Sequence, residues 1–200
     1  TAAYRQFVSD NGLQEAIIDG AKPELVGTAV SFDSASQQIQ ALFAKSELGA
    51  ALQAQIAEAY AAFGGGESPV AVRSSANAED LPDLSFAGQQ DTYLNIRGRD
   101  AVYASVRDCW ASLWTARALS YRHEHAIAQE AVAMAVVVQV MVPSEVSGIL
   151  FTANPATGER SEMIVNASFG LGEAIVGGEI TPDTYMIDRD ALTVKETIIG

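Results

Sequence analysis

Gly64-Gly65-Gly66-Glu67-Ser68-Pro69-Val70-Ala71-Val72-Arg73-Ser74-Ser75 divides the chain into two textures. Three consecutive glycines break a helix and admit backbone angles closed to other residues. Pro69 to Ser74 (PVAVRS), directly after them, is short, apolar and β-branched, the pattern of a buried strand. Upstream of the glycines the apolar spacing is helical throughout. Ala2, Ala3, Tyr4, Phe7 and Val8 recur on one helix face until Asp10-Asn11-Gly12 stops them. Ile39, Leu42 and Phe43 mark another helix, and Leu52, Ile56, Ala59, Tyr60 and Phe63 a third.

Downstream the texture is mostly strand. Thr92 to Arg97 (TYLNIR) predicts a second strand, and one long helix is expected over Asp100 to Ile127. Further strands are expected near 132–141, 146–153, 161–167 and 184–188, with Asn154-Pro155 and Gly170-Leu171-Gly172 as turns. Helices first, then a helix among largely sequential strands, predict an α+β (mixed α/β) architecture. The expected organisation is a helical N-terminal segment, 1–66, followed by a second region, 67–200, with the glycine run as a flexible point.

Composition narrows the function. Apolar residues make up 48% of the 200, charged ones 18%, and the net charge is −13. That is the make-up of a globular chain with material for a core. Its charge disfavours nucleic-acid phosphates and anionic membranes as partners. A phosphate ligand is still compatible where arginines gather, so the positions of the few arginines matter. No apolar run approaches the roughly 20 residues of a bilayer span, and no signal-peptide pattern is visible. The lone Cys109 excludes an internal disulfide and is compatible with a reducing cytoplasm.

Four segments carry candidate chemistry. In Val70 to Gly88 (VAVRSSANAEDLPDLSFAG) a strand delivers Arg73 at its end, where a guanidinium can fork two hydrogen bonds onto a phosphate and Ser74 and Ser75 add hydroxyls. The plainer alternative pairs Arg73 with Glu79 or Asp80. In the long helix, Val102, Val106, Cys109, Leu113 and Arg117 fall at spacings of three or four, which places Arg117 on or beside an apolar stripe. A charge there needs an anionic partner or must reach water past a packed stem. In Asn166 to Asp183 (NASFGLGEAIVGGEITPD) the glycines permit close approach to backbone, and Glu173 stands where it can accept from hydroxyls or help hold a cation. This loop is neither GxGxxG nor a Walker sequence. Gln139-Val140-Met141-Val142 closes the most apolar strand. Its backbone can read an adenine edge with Met141 on the ring, although most such strands are simply core. His123 and His125 lie two apart, which on a helix points them away from each other. Cys109 reads as inert core.

Taken together, AVRSSANAEDLPDLSFAGQQDTYLNIRG (71–98), CWASLWTARALSYR (109–122), VQVMVPSEVSGILFTANP (138–155) and NASFGLGEAIVGGEITPD (166–183) resemble the N-terminal nucleotide-binding region of the phosphoenolpyruvate synthase and pyruvate phosphate dikinase superfamily, which includes rifamycin phosphotransferases. The resemblance covers roughly residues 68–190. It implies an ATP-grasp-like domain that clamps ATP with Mg²⁺ between two lobes. It further implies transfer of the β-phosphate to a histidine on a separate domain of the same parent chain, and from there to an acceptor on a third. Carried over motif by motif, Arg73 (with Ser74) and Arg117 contact ATP phosphates, Gln139, Val140, Met141 and Val142 face the adenine, and Glu173 lies near ribose or phosphates. The family's upstream lysine segment, its downstream metal-binding glutamate and its phosphocarrier histidine have no counterpart here, so a piece of a longer enzyme, incomplete at both ends, is expected. GGEITPDTYMID and TYLNIRG favour a synthase-like acceptor, pyruvate. CWASLWTARA and SGILFTANP lean to the rifamycin enzyme, and a non-catalytic nucleotide-binding module is the third reading.

Overall fold

The helical periodicity ahead of the glycine run becomes four helices. In the computed structural model, which describes residues 1–76 and 92–200, α1 (Ala2–Asp10) ends at Asn11, whose Nδ2 donates back to the Phe7 carbonyl at 2.9 Å. α2 (Gln14–Gly20) follows, then α3 (Asp33–Lys45) and α4 (Ala50–Ala61). Between α2 and α3 stands an element that helical spacing does not announce. β1 (Glu24–Val26) and β2 (Ala29–Ser31) form an antiparallel hairpin, with Gly27 at φ +66° in its turn. Pro23 cannot prolong α2, and the following Leu-Val and Ala-Val pairs suit extended backbone better than helix.

After the glycines, β3 (Val70–Ala76) takes the centre of a three-stranded antiparallel sheet, between β4 (Thr92–Ile96) and β5 (Met134–Val140). α5 (Arg99–Ser112) packs on one face of this sheet, where the Cys109 thiol donates to the Val72 carbonyl at 3.7 Å. Tyr60 fastens the joint: its hydroxyl donates to Ser68 O at 2.8 Å and accepts from Gly98 N at 3.0 Å. Behind α5 lies an aromatic cluster of Tyr4, Phe7, Phe43 and Trp110, with ring centroids 5.1–6.4 Å apart. This one core takes in both the N-terminal helices and the first strands.

The helix expected over 100–127 is two helices. α5 ends at Ser112 and α6 spans Ala116–Glu124. Ser112 Oγ bonds back to Cys109 O at 2.7 Å, which competes with the helical ladder. Thr115 is extended (φ −64°, ψ 151°), and its side chain accepts from Ala118 N at 3.3 Å, capping a new helix. A 3-10 turn, Gln129–Ala131, leads into β5.

Contacts divide the chain between Met141 and Val142, not at the glycine run, because β3 and β4 are sewn into the same core as the helices. The second unit is a meander, β6 (Val146–Phe151), β7 (Glu162–Phe169), β8 (Asp183–Asp188) and β9 (Val194–Ile198), in that spatial order and antiparallel throughout. The single turn α7 (Glu173–Val176) follows β7. The Asn154-Pro155 turn is real. Buried Asn154 accepts from the Ala156 and Thr157 amides and donates to Glu162 at 3.1 Å. Helices with antiparallel sheets make the architecture α+β, as expected. Among the described residues no helix is long and apolar enough to cross a membrane.

Candidate functional site

Strand parity fixes which side chains share the open face of the first sheet. Val70, Val72, Ser74 and Ala76 alternate toward the α5 side, and Ala71, Arg73 and Ser75 toward the other. In the β3–β5 register Ala71 stands opposite Gln139 and Arg73 opposite Val137. Arg73 and Gln139 are thus diagonal neighbours on the face away from α5. Both are exposed, and Arg73 Nη1 donates to Gln139 Oε1 at 3.5 Å. Arg73 pairs with no carboxylate among the described residues. The alternative partners Glu79 and Asp80 lie in 77–91, outside those residues. Ser74 points the opposite way from Arg73 and is half-buried. The two do not converge, because consecutive strand residues alternate faces.

The remaining predicted residues are placed as follows. Val140 lies opposite Val70, on the α5 side of the sheet, yet keeps 43% of its surface exposed at the strand end. Met141 is half-buried, and its amide donates to Pro69 O at 2.9 Å, so it is tied to the start of β3. Val142 opens the second unit and is exposed. In that unit Glu173 is exposed at the first position of α7. The glycine loop before it is anchored by Ser147 Oγ donating to Gly170 O at 2.6 Å and Gly170 N to Glu145 O at 2.9 Å. Gly170 itself sits at φ +79°, where a side chain would be strained.

Arg117 departs from its expected place. The break at Leu113–Thr115 changes the helical phase, and Arg117 is exposed in the first turn of α6, off the buried stripe of Ala118, Leu119 and Arg122. The arginine that the core engulfs is Arg122, fully buried, a residue the spacing argument passed over. Thr115 was the available signal: a cap there restarts the phase and sets residues 118, 119 and 122 on one face.

Among the described residues the electrostatic perturbations lie away from Arg73. Burial pushes the Tyr4 hydroxyl up to about 12 and lowers Arg122 to about 10. Burial also raises Asp108, against the opposing pull of Arg107. At the β8–β9 turn the amide of Ala191 and then Lys195 hold Asp188 low, and Lys195 bridges Asp188 (3.3 Å) and Glu162 (3.5 Å). These latter groups brace a turn. The described residues contain no cluster of three or more metal-ligating side chains.

Comparison with known proteins then gives the arrangement a context. The family model described as pyruvate phosphate dikinase, AMP/ATP-binding domain, matches residues 1–200. The phosphoenolpyruvate synthase of Aeropyrum pernix is 45% identical over 99% of this chain and 25% of its own length. A probable phosphoenolpyruvate synthase of Pyrococcus abyssi is 46% identical over 94% of the chain and 23% of its own. One from Methanothermobacter thermautotrophicus is 43% identical over the whole chain and 30% of its own. The chain spans about a quarter of the length of these relatives.

Proposed function

The chain belongs to the pyruvate phosphate dikinase AMP/ATP-binding domain family, and on that premise we propose that it is the ATP-binding part of a phosphoenolpyruvate synthase-like phosphotransferase. The observation that carries this is Arg73. An exposed guanidinium is presented on an open sheet face and steadied by the Gln139 amide oxygen, with no described carboxylate to neutralise it. That is a cation poised for a phosphate, and an arginine fork suits phosphate oxygens.

In this reading Arg73 and Arg117 bind phosphate oxygens, while Gln139 to Val142 face the adenine. Glu173 lies near the ribose or phosphates, and the domain is ATP-grasp-like. Mg²⁺ supplies charge neutralisation on the triphosphate. Phosphoryl transfer asks a protein mainly for positioning and electrostatic stabilisation, which exposed, pre-aimed arginines provide. The parent enzyme works in the cytoplasm. It moves the β-phosphoryl of ATP to a histidine on a separate domain and then to pyruvate on another. ATP, pyruvate and water become AMP, phosphoenolpyruvate and phosphate.

The test uses the full-length parent with Mg-ATP and pyruvate, followed by phosphorus NMR. Phosphoenolpyruvate, AMP and phosphate are expected together. Turnover without dependence on pyruvate refutes the synthase reading and makes rifamycin the acceptor to try.

A further inference from the structure

Segments from α1, α2, the α5–α6 link and the 3-10 turn close around a cavity of about 210 Å³ that the nucleotide reading leaves unused. Its floor is apolar and buried: Ile17 of α2, Val132 and the Trp114 ring. Two charged residues line it as well. Arg5 on α1 and Glu130 in the 3-10 turn are both exposed, and they carry opposite charges. Among the described residues neither forms an ion pair, with the other or with any other group.

Two further lining groups have protons to give. Gln129 accepts from Arg122 Nε through its Oε1 at 2.6 Å, which leaves its Nε2 protons to donate. Buried Tyr4 accepts from Trp114 Nε1 at 3.2 Å and retains its own hydroxyl proton. The lining therefore offers a guanidinium and neutral donors for a carboxylate, a carboxylate for a cation, and an apolar floor. A ligand of one sign matches one of the two charges and opposes the other. A dipolar ligand matches both, and such complementarity selects among ligands. At about 30 Å³ per molecule of liquid water, the space equals roughly seven waters. Sites for drug-sized ligands run from about 300 to 1,000 Å³, so the occupant is smaller than those.

We propose that this cavity binds a small free α-amino acid. Its carboxylate lies on Arg5, Tyr4 and Gln129, its ammonium on Glu130, and its aliphatic side chain on Ile17, Trp114 and Val132. The bound molecule joins α1 and α2 to the turn that leads into β5. The site shares no residue with the nucleotide reading and stands independently of it.

Saturation-transfer NMR on the full-length parent tests this, with L-valine as the probe. Saturable binding with a Kd of about 1 mM or tighter is expected. Isobutylamine carries only the cation and isovalerate only the carboxylate, and each should bind about tenfold more weakly. Glycine, which lacks the aliphatic group, should lose roughly tenfold as well. Arg5→Gln should weaken L-valine about tenfold and leave isobutylamine unchanged. Glu130→Gln should weaken L-valine similarly and leave isovalerate unchanged. Both side chains are exposed, so a thermal melt should show the fold intact in each variant. Arg73→Ala should lower affinity for an ATP analogue and leave L-valine untouched, so failure of the nucleotide reading and failure of this one are read separately. Three results would overturn the proposal: no saturable L-valine binding, single-charge analogues that bind as well as L-valine, or full L-valine affinity in both charge variants.

Discussion

Replacing Arg73 with alanine separates a ligand-binding arginine from a structural one. The side chain is exposed and, among the described residues, makes one hydrogen bond at 3.5 Å, the long limit for such a contact. Its loss leaves the β3 ladder to β4 and β5 intact. Stability should therefore stay within about 0.5 kcal/mol, or roughly 2 °C in midpoint. A charge-assisted fork onto phosphate is worth about 1.5–3 kcal/mol, a loss of roughly 10- to 150-fold in affinity. Arg73→Lys keeps the charge without the fork and should fall between. Gln139→Ala, which frees the guanidinium and keeps the backbone that faces the adenine, should cost about 0.5 kcal/mol, two- to threefold. Calorimetric titration with a non-hydrolysable ATP analogue and Mg²⁺ gives the affinities, and a thermal melt gives the control. Unchanged affinity in R73A would refute the reasoning, as would a melting loss above about 5 °C, which marks a structural role.

Three other perturbations test the scaffold. Phe43 is fully buried against Tyr4 and Phe7, so Phe43→Ala should destabilise by about 3–5 kcal/mol in chemical denaturation. A Cβ at Gly148 would meet the Asn166 carbonyl at 2.7 Å across the β6–β7 pair, so Gly148→Ala should cost about 1–3 kcal/mol and speed amide exchange in β6 and β7. Burial raises the Asp108 pKa, so the folded state holds that proton more tightly than the unfolded one. Stability is lost as pH rises from 3.8 through the higher folded value. Asp108→Asn should raise the neutral-pH midpoint and flatten that slope, and an unchanged slope would count against the burial effect.

Much of the architecture was present in local chemistry. Asp10-Asn11-Gly12 ends α1, PVAVRS lies in a strand and Asn154-Pro155 turns, because capping, alternation and glycine freedom act within a few residues, whereas Arg73, expected at the strand's end, lies mid-strand in β3. Other features came from partners far along the chain. The β1–β2 hairpin and the exposed edge strand β9 (VKETI) carry weak periodicity, and β9 exists because β8 offers it a ladder. A glycine run looks like a boundary, but long-range pairing of β3 with β5 carried the first unit to Met141. Spacing alone set Arg117 on or beside the apolar stripe. Once Thr115 restarted the helix, packing around Trp114 buried Arg122 instead. The sequence by itself determined the type of the strongly patterned elements, the helices before the glycine run and the strands β3 to β8, since those follow from short-range sterics and hydrogen bonding. Only the tertiary structure decided which arginine faces solvent and which the core encloses, since a helix's phase after a break depends on what it packs against.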